Sequence, residues 1–383
     1  MADQSKLPPL PLTRASVEAA HRLIEPYIHK TPVLTSAALD KIASTPRTAA
    51  ELDGTEWAGR VPAKPVLRFW FKCENFQKVG AFKARGAFHA IERLKMEPGW
   101  EEGGGRERGV VTHSSGNHAA ALSHAASVSG LPAHIIMPSN SSPLKIAAVR
   151  STYGGQITFS GPTASEREAV TADVVGRTGA RLVPPYDHPD IVLGQGTAAL
   201  ELQAQVSPPQ PSQSSSSSSK EQKKLDAIIT PCGGGGLLSG TALACEGTGI
   251  AVFGAEPSFE GADDCRRGFE AGKRVEQVKT TTIADGLRTP VGRIPWGVIF
   301  ERRLVKGMYS VSEGEIKKAM RLVYERMKVV VEPSAVVGLA VALFNEEFRG
   351  MVEREGGSEG WDLGVVFSGG NVSLETLGEL FSS

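Results

Sequence analysis

Residues 225–240, LDAIITPCGGGGLLSG, leave a chain few ways to fold. The apolar run Ala227, Ile228, Ile229 and Thr230 ends at Pro231 and predicts a buried parallel strand. Four glycines, Gly233, Gly234, Gly235 and Gly236, precede a helix-like run over 237–245. Bare backbone between strand and helix leaves several N–H groups aimed at one spot beside a helix N-terminus, a place suited to a phosphate. Glycine lets the main chain approach such a ligand and take up φ > 0 without steric cost. The stretch lacks GxxxxGK[ST], and consecutive glycines do not make G-x-G-x-x-G, so nucleotide-hydrolase and dinucleotide readings lose ground. A phosphate-bearing cofactor of another kind is expected.

From residue 109 onward, strand-like and helix-like segments alternate: GVVTHS, NHAAALSHAAS, AHIIMP, SPLKIAAVRSTYG, GQITFS, SEREAVTADVVGR, ARLVPPY. That rhythm predicts an α/β fold of open parallel sheets with helices on both faces. Helices are also expected over 16–27 and 80–94, with a strand over 66–73 and a polar surface insertion over 39–65. Ser165 with Glu168, and Ser312 with Glu315, have the spacing of capping boxes, which puts Arg167 in a first turn. Gly194-Gln195-Gly196 opens a helix over 197–206, and the Ser-rich run 208–224 reads as disordered. A strand-like run precedes a helix within 329–344, and a last buried strand lies in 363–371.

A chain of 383 residues has room for two domains. We expect a large one over 1–108 and 187–383 and a small one over 109–186 that closes over substrate. Lys+Arg and Asp+Glu both count 42, so no global field favours nucleic acid or membrane. Cys73, Cys232, Cys245 and Cys265 are scattered without a C-x-x-C pair, suggesting neither a zinc knuckle nor a disulfide framework. The first residues carry no apolar signal-peptide core, which makes the cytoplasm the expected location.

Four strand-end turns carry chemistry-bearing residues: 113–118 (HSSGNH), the glycine run, Glu256-Pro257, and 368–371 (SGGN). Ligands of open α/β sheets sit off the carboxyl ends of the strands, so these turns suggest one shared pocket. Lys83, among Ala, Phe and Gly, is a lysine that could bond an aldehyde cofactor if it stands beside the phosphate site.

The motifs QKVGAFKARG, HSSGNH, GQGT, PCGGGGLLSG, TIADGL, VEPSA and SGGN, in this order, resemble those of the fold-type-II pyridoxal-phosphate enzymes. Within them the likeness is to the serine racemase and serine/threonine dehydratase group. It covers nearly the whole chain and implies a tryptophan-synthase-β-like, two-domain architecture. It further implies that Lys83 carries pyridoxal 5'-phosphate covalently, with Phe82 beside the ring. Gly233 to Gly236 and the Leu237 amide receive the phosphate, Asn117 meets the ring hydroxyl, and Ser368 faces the ring nitrogen. Ser114, Ser115, Gly116 and Asn117 would bind the substrate α-carboxylate. Ser115 either does only that or also returns a proton from the far face.

Arg167 matches a position where the group has an arginine within reach of substrate, which makes 3-hydroxyaspartate a candidate beside serine and threonine; an ordinary solvated charge is the other reading. Tyr186 and Asp187 stand where mammalian-type racemases have an Asn-Gln pair, and Ala119 replaces a usual glycine. Glu256, the Ala262 carbonyl and Asp264, with Asp263 as the alternate, resemble the group's divalent-cation site for Mg²⁺, Ca²⁺ or Mn²⁺. His113, His118 and His124 are expected to be structural. The resemblance implies a lyase that dehydrates a β-hydroxy amino acid to a 2-keto acid and ammonia. The alternative is a serine racemase (an isomerase), in the same site. A homodimer, a small-molecule amino acid substrate and a candidate nucleotide effector complete the expectations.

Overall fold

The computed structural model describes residues 8–114, 116–207 and 224–382. Its strands are β1 (Val33–Leu34), β2 (Leu67–Cys73), β3 (Val110–His113), β4 (Ala133–Pro138), β5 (Gln156–Ser160), β6 (Arg181–Leu182), β7 (Ala227–Pro231), β8 (Ala251–Pro257), β9 (Gly307–Val311) and β10 (Trp361–Phe367). They form two sheets, ordered β1-β2-β10-β7-β8-β9 and β5-β4-β3-β6. All neighbours run parallel except β1 against β2. β7 and β10 are buried along their whole length, as strands covered on both faces must be.

Strand pleating sorts the core. Ile229, Phe253 and Val365 face one cluster with the helix Val337–Phe344, while Ile228, Val252 and Val366 face another with the helix Gly236–Cys245. Around the smaller sheet, Val110 and Ile135 pack with the helices Lys83–Lys95 and Asn117–Val128. Val111 and Ile136 pack on its other face with Val174 of the helix Ala164–Thr178. Helices therefore cover both faces of both sheets. Among the described residues, no helix is long and apolar enough to cross a membrane.

Several local expectations change. The helix expected over 80–94 begins at Lys83, because Val79 (φ +56°) and Gly80 (φ +69°) are left-handed and cannot continue a right-handed helix backwards. The capping box before Arg167 is Thr163 with Glu166, not Ser165 with Glu168; Thr163 N–H donates to Glu166 Oε2 at 2.9 Å. Arg167 still lies at the end of the first turn.

The helix expected to open after Gly194-Gln195-Gly196 instead runs Pro189–Val206 straight through them, starting from His188. These glycines serve close packing: a Cβ on Gly194 would lie 2.7 Å from the Cα of Gly86, and one on Gly196 would lie 2.5 Å from the Gly240 oxygen. The expected insertion over 39–65 contains the helices Ala37–Ser44 and Ala49–Leu52, and buries Leu39, Ala43, Leu52 and Trp57. No strand forms over 329–332; the chain enters the helix Val337–Phe344 through a turn at Pro333–Val336. The Ser312–Glu315 box is present. The Ser-rich run lies outside the described residues, except Lys224.

Candidate active site

Lys83 opens its helix, and its Nζ donates to the Pro185 carbonyl at 2.7 Å. Burial pulls its pKa down to about 8, because a charged ammonium loses hydration in the interior. A good fraction of the amine is then neutral near physiological pH, the form that attacks an aldehyde or takes a proton. Phe82 lies alongside, its ring centroid 5.1 Å from the amine.

Tyr186, next to the carbonyl that holds Lys83, packs on the glycine run. A Cβ on Gly234 would lie 2.2 Å from the Tyr186 ring, so only glycine fits there. Gly235 is left-handed (φ +84°) and caps the helix Gly236–Cys245. The first N–H groups of that helix have no intrahelical acceptor. Such free main-chain amides suit an anion, and Tyr186, packed on this run, directly follows the residue whose carbonyl holds the Lys83 amine. The segment behind is tied in as well: Gly292 N–H donates to the Gly234 carbonyl at 3.1 Å, and Asp187 accepts from the amides of Arg293 (3.1 Å) and Ile294 (2.9 Å).

Ser368, buried at the end of β10, is tied to the lysine segment by main chain. Phe82 N–H donates to the Ser368 carbonyl at 3.0 Å, and Ala81 bridges Gly369. Across from it, Asn117 starts the helix Asn117–Val128 after β3. Its Nδ2 donates to Glu332 Oε1 at 2.9 Å and its Oδ1 accepts from Asn371 Nδ2 at 2.9 Å.

Glu332 also accepts from the Asn371 amide at 3.2 Å, and burial raises its pKa to about 8. From the sequence, Asn371 was noted only as part of the SGGN turn and Glu332 only within the VEPSA motif; neither was given a role. The available signal was one acidic residue inside the apolar run VVVEPSAVVGLAVALF. Ser114 Oγ accepts from the Gly116 amide at 3.3 Å, so Ser114, Gly116 and Asn117 form one helix-entry turn. Ser115 lies outside the described residues.

Arg167 is half-buried and donates to the Pro162 carbonyl at 3.0 Å. Burial of His113, with the Arg167 charge behind it, lowers the His113 pKa. His118 Nε2–H donates to the Val183 carbonyl (3.2 Å), but its Nδ1 has no partner among the described residues. It is thus only half satisfied, and burial together with the Lys83 charge pushes its pKa down to about 3. His124 packs edge-on to Phe88.

On β8, Glu256 is fully buried and accepts from the amides of Cys265 (3.0 Å) and Arg266 (2.8 Å). Asp264 Oδ2 accepts from the Val291 amide at 3.0 Å, while its buried Oδ1 has no partner among the described residues. Burial and their mutual repulsion raise Glu256 well above the usual carboxylate range, and burial raises Asp264 to about 7. Ala262 is buried beside them. Asp263 is instead engaged by Arg267 at 3.1 Å.

Residues 55–356 match the family described as pyridoxal-phosphate dependent enzyme. The chain belongs to that family. It is 41% identical to a serine racemase of Arabidopsis thaliana over 96% of both chains. It is 38% identical to a beta-hydroxyaspartate dehydratase of Paracoccus denitrificans, over 94% of this chain and 96% of that one. The structure of maize serine racemase superposes with a TM-score of 0.78 at 38% identity, covering 96% of each chain. The fold class expected from the motifs is therefore the one observed, and pyridoxal-phosphate dependence follows from family membership.

Proposed function

We propose that this protein is a carbon–oxygen lyase that converts a β-hydroxy amino acid to a 2-keto acid and ammonia. L-Serine, L-threonine and threo-3-hydroxyaspartate are the substrate class. The observation that carries the reading is the amine of Lys83 on the Pro185 carbonyl, with the next residue, Tyr186, seated on Gly234 of the anion cradle. In this reading the amine and the glycine-run amides would hold the two ends of one cofactor. Lys83 with Phe82, the amides of Gly233 to Leu237, Asn117 and Ser368 would hold pyridoxal phosphate.

When bound, the cofactor supplies the electron sink that lets a substrate Cα proton leave. Lys83, with a pKa of about 8, removes that proton. The helix-entry turn of Ser114, Ser115, Gly116 and Asn117 receives the α-carboxylate, an anion at a helix N-terminus. Ser368 would offer the ring nitrogen a hydroxyl rather than a carboxylate, which would suit elimination of the β-hydroxyl better than transamination. In this reading Arg167 would meet the second carboxylate of hydroxyaspartate.

The small domain (109–186) closes over substrate in this reading. Lys145, beside the smaller sheet, pairs with Asp285 of the turn Asp285–Leu287 and would help hold the closed state. Glu256, the Ala262 carbonyl and Asp264 would hold Mg²⁺, Ca²⁺ or Mn²⁺; the unpartnered Asp264 oxygen and two buried carboxylates fit a cation. A homodimer, a nucleotide effector and a cytoplasmic location belong to the same reading.

Racemisation of serine is the second activity, favoured by the Arabidopsis relative's name, since both reactions begin with loss of the same proton. Chiral product analysis with D- and L-serine, threonine and 3-hydroxyaspartate tests the assignment. Keto acid and ammonia from at least one of them, lost together with the visible cofactor absorption in Lys83→Ala, is the expected result. Undiminished turnover in that variant refutes it.

A further inference from the structure

Asp187 has no part in the chemistry above, yet its contacts join the two ends of the cofactor seat. Its Oδ2 accepts from the Arg293 amide at 3.1 Å and its Oδ1 from the Ile294 amide at 2.9 Å. Both amides open the helix Arg293–Trp296, whose own flanking residue, Gly292, supplies no side-chain cap. The carboxylate that does cap them lies 106 and 107 residues earlier in the chain. An ionised carboxylate has two acceptor oxygens, so one aspartate meets two orphan amides. The fit is close: a Cβ on Gly292 would lie 2.6 Å from the Asp187 carboxyl carbon, so only glycine leaves the carboxylate room.

From that joint, short connections run both ways. Gly292 N–H donates to the Gly234 carbonyl at 3.1 Å, so the turn gripped by Asp187 in turn grips the glycine run. In the other direction Pro185, two residues before Asp187, holds the Lys83 amine at 2.7 Å. Two residues span about 7 Å at most, so little slack separates the carboxylate from the amine seat. Pro184 and Pro185 stiffen the strap further, because each fixes its φ. Upstream, the strap 183–187 is held without Asp187: the Val183 amide donates to the Val111 carbonyl at 2.8 Å, and the Val183 carbonyl accepts from His118 at 3.2 Å. Loss of the Asp187 contacts therefore leaves the amine end anchored and frees the glycine-run end.

We propose that Asp187 is a positioning residue that sets the span between the Lys83 amine and the main-chain amides of the glycine run. It acts through Arg293, Ile294 and Gly292 on one side and through Pro185 on the other. The inference rests on the cofactor seat described above and names what fixes its length.

The test takes the full-length enzyme, resolved from its cofactor, and titrates it with pyridoxal 5'-phosphate and separately with pyridoxal, visible absorption reporting binding. Pyridoxal carries the aldehyde without the phosphate and so reads the amine end alone. Asp187→Ala should weaken pyridoxal-phosphate binding by about tenfold or more, the scale of losing hydrogen bonds to a charged group, and pyridoxal binding by less than about threefold. Asp187→Asn, which keeps one carbonyl acceptor, should fall between the parent and the alanine variant. Gly292→Ala reaches the same joint from the other side, at a φ of −66° that alanine adopts freely, and should reproduce the split. It also serves should Asp187→Ala fail to fold. Equal weakening toward both aldehydes, or a lower Tm with unchanged affinity, makes Asp187 a plain helix cap and overturns the proposal. A parent that binds neither aldehyde sinks the cofactor seat and this inference with it; the other outcomes leave that seat standing.

Discussion

Gly234→Ala asks whether the anion cradle depends on bare backbone. The backbone of Gly234 is not in the left-handed region, so alanine meets no conformational penalty there and the effect is purely steric. The new methyl would lie 2.2, 2.4 and 2.5 Å from three carbons of the Tyr186 ring. Carbon atoms rest at about 3.5 Å or more, so ring or turn must retreat by roughly 1 Å. The ring cannot retreat alone. Its neighbour Pro185 holds Lys83, and Asp187 on the other side is clamped by two amides of the helix Arg293–Trp296.

Overpacking of this kind costs about 1–3 kcal/mol. If that falls on the cofactor-bound state, affinity for pyridoxal phosphate drops by roughly 5- to 150-fold. Titration of the apoenzyme with cofactor, followed by visible absorption, measures it. The double variant Gly234→Ala/Tyr186→Ala removes the obstructing ring and should recover much of the loss. Unchanged affinity in the single variant would refute the steric reasoning, and no recovery in the double would show that Tyr186 is not the obstacle.

Glu332, with its pKa raised from 4.5 to about 8, binds a proton in the folded apoprotein that the unfolded chain has released. Stability therefore falls as pH rises from about 4.5 to about 8, by up to roughly 1.4 kcal/mol per unit. Glu332→Gln should flatten the decline of Tm across that window; an unaltered slope counts against it. Asp264→Ala should blunt activation by Mg²⁺, and a parent enzyme indifferent to EDTA would remove the magnesium reading. Arg167→Ala should lower kcat/KM for 3-hydroxyaspartate at least tenfold more than for serine, and an equal loss on both excludes a second-carboxylate role.

The glycine run and the alternation after residue 109 were legible because each rests on local chemistry: bare backbone between a strand and a helix, and short strand-like runs between helical ones. Strand order was not. β10, last in the chain, lies between β2 and β7, and only side-chain packing across distant segments decides that. Residues 39–65 read as surface because their polar, Gly- and Pro-bearing composition hides Leu39 and Leu52, anchors of two short helices, and Trp57 in the turn after them. Glu332 was passed over because a carboxyl inside an apolar run shows its partners, Asn117 and Asn371, only after folding. The cysteines looked scattered for the same reason: register across β7 and β8, not spacing along the chain, brings Cys232 to Cys265.

The glycines at 86, 194, 196 and 240 carry a consequence for how this enzyme can drift. Through them the lysine-bearing helix, the long central helix and the helix behind the cradle touch skeleton to skeleton, with no side chain as a spacer. The distance from reactive nitrogen to anion seat is thereby a property of the polypeptide itself. An added methyl at any of the four would push neighbouring helices apart and change that distance.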